Sequence, residues 1–303
     1  MPKLLTATRI LERTMPATTR RLLVYGAIAL AYLASVLLGA GTFYGLASFA
    51  KNPALWGQLG AIFGLSACIY AIRQTRAVLF YRVELIHLSA MVKRLTDQEL
   101  PSGKEQLKSL DAFVFGLFPS AQASFSCYLQ TRQFVLESFG YFPPGNRIVQ
   151  FLPKPLAGWL QRGLSASLFG KPGAEALLAL ACKAGRLGDV RRGAVVWCER
   201  YREILPHALL AGAFLYGLAL VAFWLLLKPV AWVDAALPTD LGVWQYVFAL
   251  ILTYWIKAAF LDPIVTAAMT ITLLELEKET QVSDQTTQAW SAKLPSLAQL
   301  LCA

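Results

Sequence analysis

The feature that most constrains this chain is a run without any charged residue from Leu22 to Ala50. A helix of about 20 apolar residues crosses the roughly 30 Å hydrocarbon core of a bilayer. A soluble domain usually carries about 25% charged residues. This chain has 303 residues, of which 15% are charged and 56% hydrophobic, and its mean hydropathy is +0.51. The sequence therefore predicts an integral membrane protein.

Three further apolar segments predict helices that cross the membrane, and the last of them is interrupted near Pro263. Short turns separate the members of each pair, so the spans are expected to form two helical hairpins. We expect an all-α, polytopic helical membrane protein with four transmembrane helices plus one or two re-entrant or interfacial helices. The predicted spans are 22–50, 54–72, 207–227 and 241–274, which form the hairpins 22–72 and 205–274.

The segment 73–204, between the two hairpins, is expected to be a cytoplasmic or interfacial helical region. The stretch 112–131 has no charged residue but contains many polar ones, and the apolar stretch 156–170 is interrupted by an arginine. Neither is typical of an ordinary span, so both are candidate re-entrant segments. Irregular backbone at membrane depth is tolerated only when it is buried in protein or lines a cavity. The remaining parts are a basic N-terminal segment, 1–21, and a C-terminal tail, 275–303.

The distribution of basic residues predicts the orientation, because Lys and Arg near the spans stay on the cytoplasmic side. Residues 73–203 contain 18 Lys and Arg against 10 Asp and Glu, whereas the first predicted outer turn contains only Lys51. We therefore expect a multi-pass protein of the cell inner membrane with both termini in the cytoplasm. The net charge of +10 then indicates contact with anionic phospholipid rather than with nucleic acid.

Lys257 and Asp262 are the main candidates for a functional pair, because they lie near the middle of the predicted span 241–274. Ionisable groups at that depth are costly and commonly mark a substrate or ion path, to which Tyr254 would also belong. The alternative is that the span ends near Leu261. In that case Lys257 reaches the interface and Asp262 caps a new helix that starts at Pro263.

Two G-x-x-x-G motifs, one on each helix of the first hairpin, predict close helix packing. Gly41 and Gly45 form the first motif, and Gly60 and Gly64 form the second. Small residues let two backbones approach closely in lipid. Packing within the chain is the expectation, and a dimer interface is the alternative.

Three arginines, Arg186, Arg191 and Arg192, precede the third predicted span. They are candidates for contact with a lipid headgroup or a protein partner, and the alternative is an ordinary solvated face. The five cysteines are widely spaced and odd in number, which predicts reduced packing residues. Neither a metal-ligand spacing nor a catalytic triad is visible, so no metal, cofactor or enzymatic activity is expected.

The order of several segments resembles the C-terminal half of choline-transporter-like proteins. The sequence GQLGAIFG at 57–64, followed by 72–73 and 78–81, is similar to the start of that half. Residues 159–162, 169–171 and 174–176 are similar to the next membrane helix and the segment after it. Residues 274–279 resemble the acidic end of the final helix. The resemblance covers about residues 50–280 and implies movement of choline or a related amine.

Together these features predict a small-solute transporter or permease-like subunit, with Lys257, Asp262 and Tyr254 on the path. The competing interpretation is a non-transporting membrane anchor or assembly subunit. Its basic 73–203 region would dock a cytoplasmic partner or anionic lipid. A homo-oligomer is compatible with either function.

Overall fold

The computed structural model describes residues 2–76, 80–141, 169–236 and 241–300, and within these ranges it contains helices and no strand. A π-helix, Lys257–Leu261, joins α10 to α11. The α-helices in chain order are α1 (Pro2–Arg13), α2 (Met15–Leu46), α3 (Pro53–Thr75), α4 (Tyr81–Leu95), α5 (Gly103–Leu117), α6 (Ala121–Tyr141), α7 (Gly170–Ala184), α8 (Asp189–Glu199), α9 (Tyr201–Ala235), α10 (Trp244–Ile256), α11 (Asp262–Glu279), α12 (Asp284–Lys293) and α13 (Pro295–Ala298).

Among the described residues, four helical stretches are long and apolar enough to cross a membrane: α2, α3, α9, and the continuous stretch Trp244–Glu279. The all-α, multi-pass membrane architecture expected from the sequence is therefore confirmed. Helices α5 and α6 together are also apolar enough for one span, but they are bent by 72° where they meet. This bend falls within the candidate re-entrant stretch 112–131. Residues 156–168 of the other candidate, 156–170, lie outside the described residues.

The helix ends differ from the predicted spans because backbone hydrogen bonds continue where apolar side chains stop. Helix α2 begins at Met15 rather than Leu22, within the segment expected to be only a basic N-terminal stretch. It ends at Leu46 because residues 47–52 form the turn into α3, whose N-cap Asn52 accepts a hydrogen bond from the Leu55 N–H. Residues 275–303, expected as a tail, contain the end of α11 and helices α12 and α13.

The chain divides into two units, which we call the packed unit and the span unit. The packed unit comprises Met1–Thr18, Tyr81–Tyr216 and Asp262–Ala303, and the span unit comprises Thr19–Phe80 and Gly217–Leu261. Large apolar side chains on the span unit are widely exposed, as the 91% exposure of Phe49 illustrates. Exposed apolar surface of this extent is typical of a surface that contacts lipid.

Helix α7 forms the centre of the packed unit. It contacts α4, α6, α8 and α11, and its residues from Pro172 to Cys182 are all buried. Its residues 176–182 are apolar on all sides of the helix, and such a segment must be enclosed by protein. The helix ends at Gly185, whose left-handed backbone (φ +68°) suits glycine and whose N–H bonds to the Ala181 carbonyl.

Cys127, Cys182 and Cys198 are buried packing residues, as expected, but they are not all reduced. Burial raises the pKa of the Cys182 thiol to about 11 and that of Cys198 to about 12, so both remain protonated thiols. The prediction of reduced cysteines is wrong at Cys127, which is disulfide-bonded. Sequence spacing alone cannot show which cysteines meet in space.

Helices α2 and α3 cross within the span unit at glycines, and only one of the two predicted motifs takes part. A Cβ added to Gly60 would overlap the Gly39 carbonyl, and one added to Gly64 would overlap the Ser35 carbonyl. The same test finds no atom within 4 Å at Gly41 or Gly45. The prediction that Gly41 and Gly45 pack inside the chain is therefore wrong. Ser35 and Gly39, on another face of α2, provide the small-residue surface.

The π-helix of the span unit receives a hydrogen bond from a buried arginine. In a π-helix the carbonyl of Ala258 would bond to the N–H five residues later, but residue 263 is a proline and has none. Arg21 Nε donates to this carbonyl at 2.8 Å, and its guanidinium lies 5.5 Å from the centre of the Tyr25 ring. Arg21 is 1% exposed, although the sequence analysis placed it in the basic N-terminal segment 1–21.

We expect Gly60→Leu to lower the unfolding temperature of the detergent-solubilised protein, because the new side chain would separate α2 from α3. Overpacking of this kind typically costs about 1–3 kcal/mol. The matched control is Gly41→Leu, which adds the same side chain where no atom lies within 4 Å. The measurement is the fraction that stays monodisperse in size-exclusion chromatography after heating. Equal losses for the two variants would contradict this helix crossing.

Candidate functional site

A cluster of buried ionisable side chains lies at the start of α7, where three helices of the packed unit meet. Lys171 Nζ lies 2.6 Å from Glu84 Oε1, 3.6 Å from Asp262 Oδ2 and 3.8 Å from Glu175 Oε1. The side chains of Glu84, Glu175 and Asp262 are 3%, 5% and 8% exposed. We call these four residues the Lys171 cluster.

Helical periodicity explains why these groups converge. Lys171 and Glu175 are four residues apart on α7, so they lie on the same face. Asp262 and Thr266 are likewise four residues apart on α11, which packs against α7. The Thr266 hydroxyl donates to Glu175 Oε2 at 2.5 Å, while Lys171 reaches Asp262. Each helix therefore offers a pair of polar groups to the other.

Tyr81, the first residue of α4, borders the cluster. It is 1% exposed, and its ring centre lies 4.8 Å from that of Tyr128. Burial and the nearby Glu175 carboxylate raise the pKa of Tyr81 well above its usual value. The phenol therefore stays neutral and adds no further negative charge to a site that already contains three carboxyl groups.

The composition of the cluster limits its chemistry. Among the residues that the structure describes, no group of three or more His, Cys, Asp or Glu side chains could hold a metal ion. The side chain of Lys171 is 21% exposed, more than any of the three carboxylates, so Lys171 is the member of the cluster closest to the surface. Such a site can join three helices electrostatically.

The structure assigns the three predicted path residues to different units. Asp262 belongs to the packed unit and pairs with Lys171. Lys257 and Tyr254 belong to the span unit. Lys257 is the first residue of the π-helix. The Tyr254 ring packs edge-on against the Tyr25 ring, with 6.4 Å between the ring centres.

Sequence reasoning missed three members of the cluster. Lys171 and Glu175 could have been found as an i, i+4 charge pair directly before the apolar residues 176–182 of α7. Glu84 lies within a similarly apolar stretch of α4, nearly all of which is buried. The contacts between the three helices had no signal in the sequence, because they depend on tertiary packing.

The three predicted contact arginines lie on the surface of the packed unit. The side chain of Arg186 is 78% exposed and pairs with Asp189 at 3.5 Å, while Arg191 donates to the Ser291 hydroxyl at 3.3 Å. Arg192 is exposed on α8. Exposed pairs of this kind contribute about 0–1 kcal/mol, so these side chains can be recruited by another molecule at little cost.

Comparison with known proteins found no matching family model, no similar curated protein and no similar solved structure. The resemblance to choline-transporter-like proteins therefore remains a prediction from the sequence.

We expect Lys171→Met to destabilise the protein by about 3–5 kcal/mol, because breaking a buried ion pair leaves uncompensated charge. The control is Lys183→Met on the same helix, which removes a more exposed pair with Glu277 (2.7 Å) and should cost about 1 kcal/mol or less. The measurement is the chemical-denaturation midpoint. The double variant Lys171→Met/Glu84→Gln should recover part of the loss. Equal losses for the two lysine variants would show that the cluster is not a structural ion site.

Proposed function

We propose that the protein is a non-transporting membrane anchor whose packed unit docks a cytoplasmic protein partner. In this proposal the span unit holds the chain in the cell inner membrane. The basic segments on the cytoplasmic side orient it by the positive-inside rule. The exposed arginines Arg186, Arg191 and Arg192 contribute to the docking surface.

The small buried fraction of the first three spans supports this proposal most directly. Only 22% of the apolar window of α2, 17% of that of α3 and 22% of that of α9 is buried within the chain. Helices that enclose a solute path must pack against one another around it. Helices with only about a fifth of this window buried are instead suited to contact with lipid.

The close packing of the packed unit also supports the proposal. It buries large side chains of several helices completely, including Trp197, Phe134 and Leu177. Its polar cluster joins helices α4, α7 and α11 to one another. Such a closely packed unit, with Arg191 and Arg192 exposed on α8, offers a preformed surface to a partner.

We expect the charge reversal Arg191→Glu/Arg192→Glu to release a partner that co-purifies with the full chain. The new glutamates would repel a partner surface that complements the arginines, so recovery of the partner should fall at least about ten-fold. A ten-fold fall corresponds to a change of about 1.4 kcal/mol in binding free energy. The control is Lys104→Glu/Lys108→Glu, which reverses two exposed charges on α5. The measurement is quantitative mass spectrometry after crosslinking in intact cells. Recovery that is unchanged, or equally reduced in both variants, would refute this docking surface.

Transport of a small solute such as choline or a related amine is the second candidate function. The fourth span supports it, because half of its apolar window is buried and the π-helix Lys257–Leu261 interrupts it. Single π-helical turns inside α-helices occur frequently at functional sites. Tyr254, Lys257 and Asp262 would then act along this helix.

Under the transport hypothesis, Lys257→Gln and Asp262→Asn should insert normally but lose uptake of labelled choline into proteoliposomes. Arg192→Gln is the control, because this exposed arginine lies on α8 and not on the fourth span. Size-exclusion chromatography of each variant separates lost uptake from lost folding. Uptake by the unaltered protein no faster than by protein-free vesicles would exclude choline transport and leave the docking proposal standing.

A further inference from the structure

The span unit contains an apolar groove between α2, α3 and α10. Its volume is about 390 Å³, which lies within the usual range for small-molecule sites, about 300–1,000 Å³. Apolar side chains form most of its wall, together with two tyrosines. The wall includes Tyr32 of α2, Leu65 and Ile69 of α3, and Leu250, Ile251 and Tyr254 of α10.

The groove opens to the surface of the span unit, because several of its wall residues are half exposed. Ile69 is 48% exposed, Leu250 55% and Tyr254 48%. These residues belong to helices that cross the membrane. The medium in contact with them is therefore lipid hydrocarbon, and an acyl chain is the group that fills such a groove.

Two walls of the groove each lead to a basic residue further along their own helix. On α3, Leu65, Ile69 and Arg73 are spaced i, i+4, i+8, so they lie along one stripe of the helix. On the fourth span, Leu250, Tyr254 and Lys257 are spaced i, i+4, i+7 and form a second stripe. The positive-inside rule places both ends at the cytoplasmic leaflet.

We propose that this groove binds an acidic phospholipid of the cytoplasmic leaflet. One acyl chain lies in the groove, and Arg73 and Lys257 contact the phosphate. Tyrosine side chains suit the boundary between chain and headgroup, because each has an apolar ring and a polar hydroxyl. This assigns Lys257 to lipid binding and does not depend on whether the protein docks a partner or transports a solute.

The proposal is tested in nanodiscs with phosphatidylglycerol that carries a photoactivatable diazirine on its acyl chain. Crosslinks should concentrate in peptides that contain residues 65–69 and 247–254. Arg73→Gln/Lys257→Gln should lower the yield by about five-fold per cation removed. The control, Lys51→Gln/Lys228→Gln, removes one basic residue from the turn between α2 and α3 and another from the last third of α9, and it should leave the yield unchanged.

A second pair of variants tests the position of the acyl chain. Ile69→Trp should fill the groove and reduce crosslinking, whereas Leu37→Trp, at a 57% exposed position on α2 outside the groove, should not. Circular dichroism checks that each variant retains its helices. Three results would overturn the proposal: equal crosslinking of phosphatidylcholine, labelling spread evenly over all lipid-facing helices, or crosslinks showing a second copy of the chain in the groove.

Discussion

Lipid hydrocarbon offers no hydrogen bonds to a polypeptide backbone, so every N–H and C=O group within the bilayer must find its partner in the protein. This requirement explains the helical form of the spans, and it also explains two local features. At the crossing of α2 and α3, glycines let the backbones pack directly. At the π-helix, where Pro263 lacks an N–H, Arg21 supplies a donor to the Ala258 carbonyl.

The packed unit differs from the spans in that it encloses charged side chains in an apolar interior. Three carboxyl groups are acceptable there because Lys171 and the Thr266 hydroxyl bind them directly. A buried ion pair adds little net stability compared with apolar packing, but it disfavours arrangements in which its members are separated. The cluster therefore specifies how α4, α7 and α11 meet more than it strengthens their contact.

The sequence predicted the features that follow from the pattern of apolar residues, and it did not predict those that depend on tertiary contacts. The four spans were visible because soluble domains rarely contain uncharged apolar runs of about 20 residues. Spacing could not show that Gly39 rather than Gly41 faces α3, because both glycines are one helical turn from another small residue. The burial of Arg21 was equally hidden, because an arginine beside an apolar run normally remains at the interface.

The packed unit is discontinuous in sequence, since the two segments of the span unit, Thr19–Phe80 and Gly217–Leu261, interrupt it. Ribosomes synthesise a chain from its N-terminus, so Glu84 and Lys171 emerge long before Asp262. Helix α7, which needs α11 to cover it, cannot be fully enclosed until the fourth span has been made. The packed unit can therefore be completed only after all four membrane crossings have been synthesised. A chain stalled earlier would expose the apolar surface of α7 to quality-control proteases.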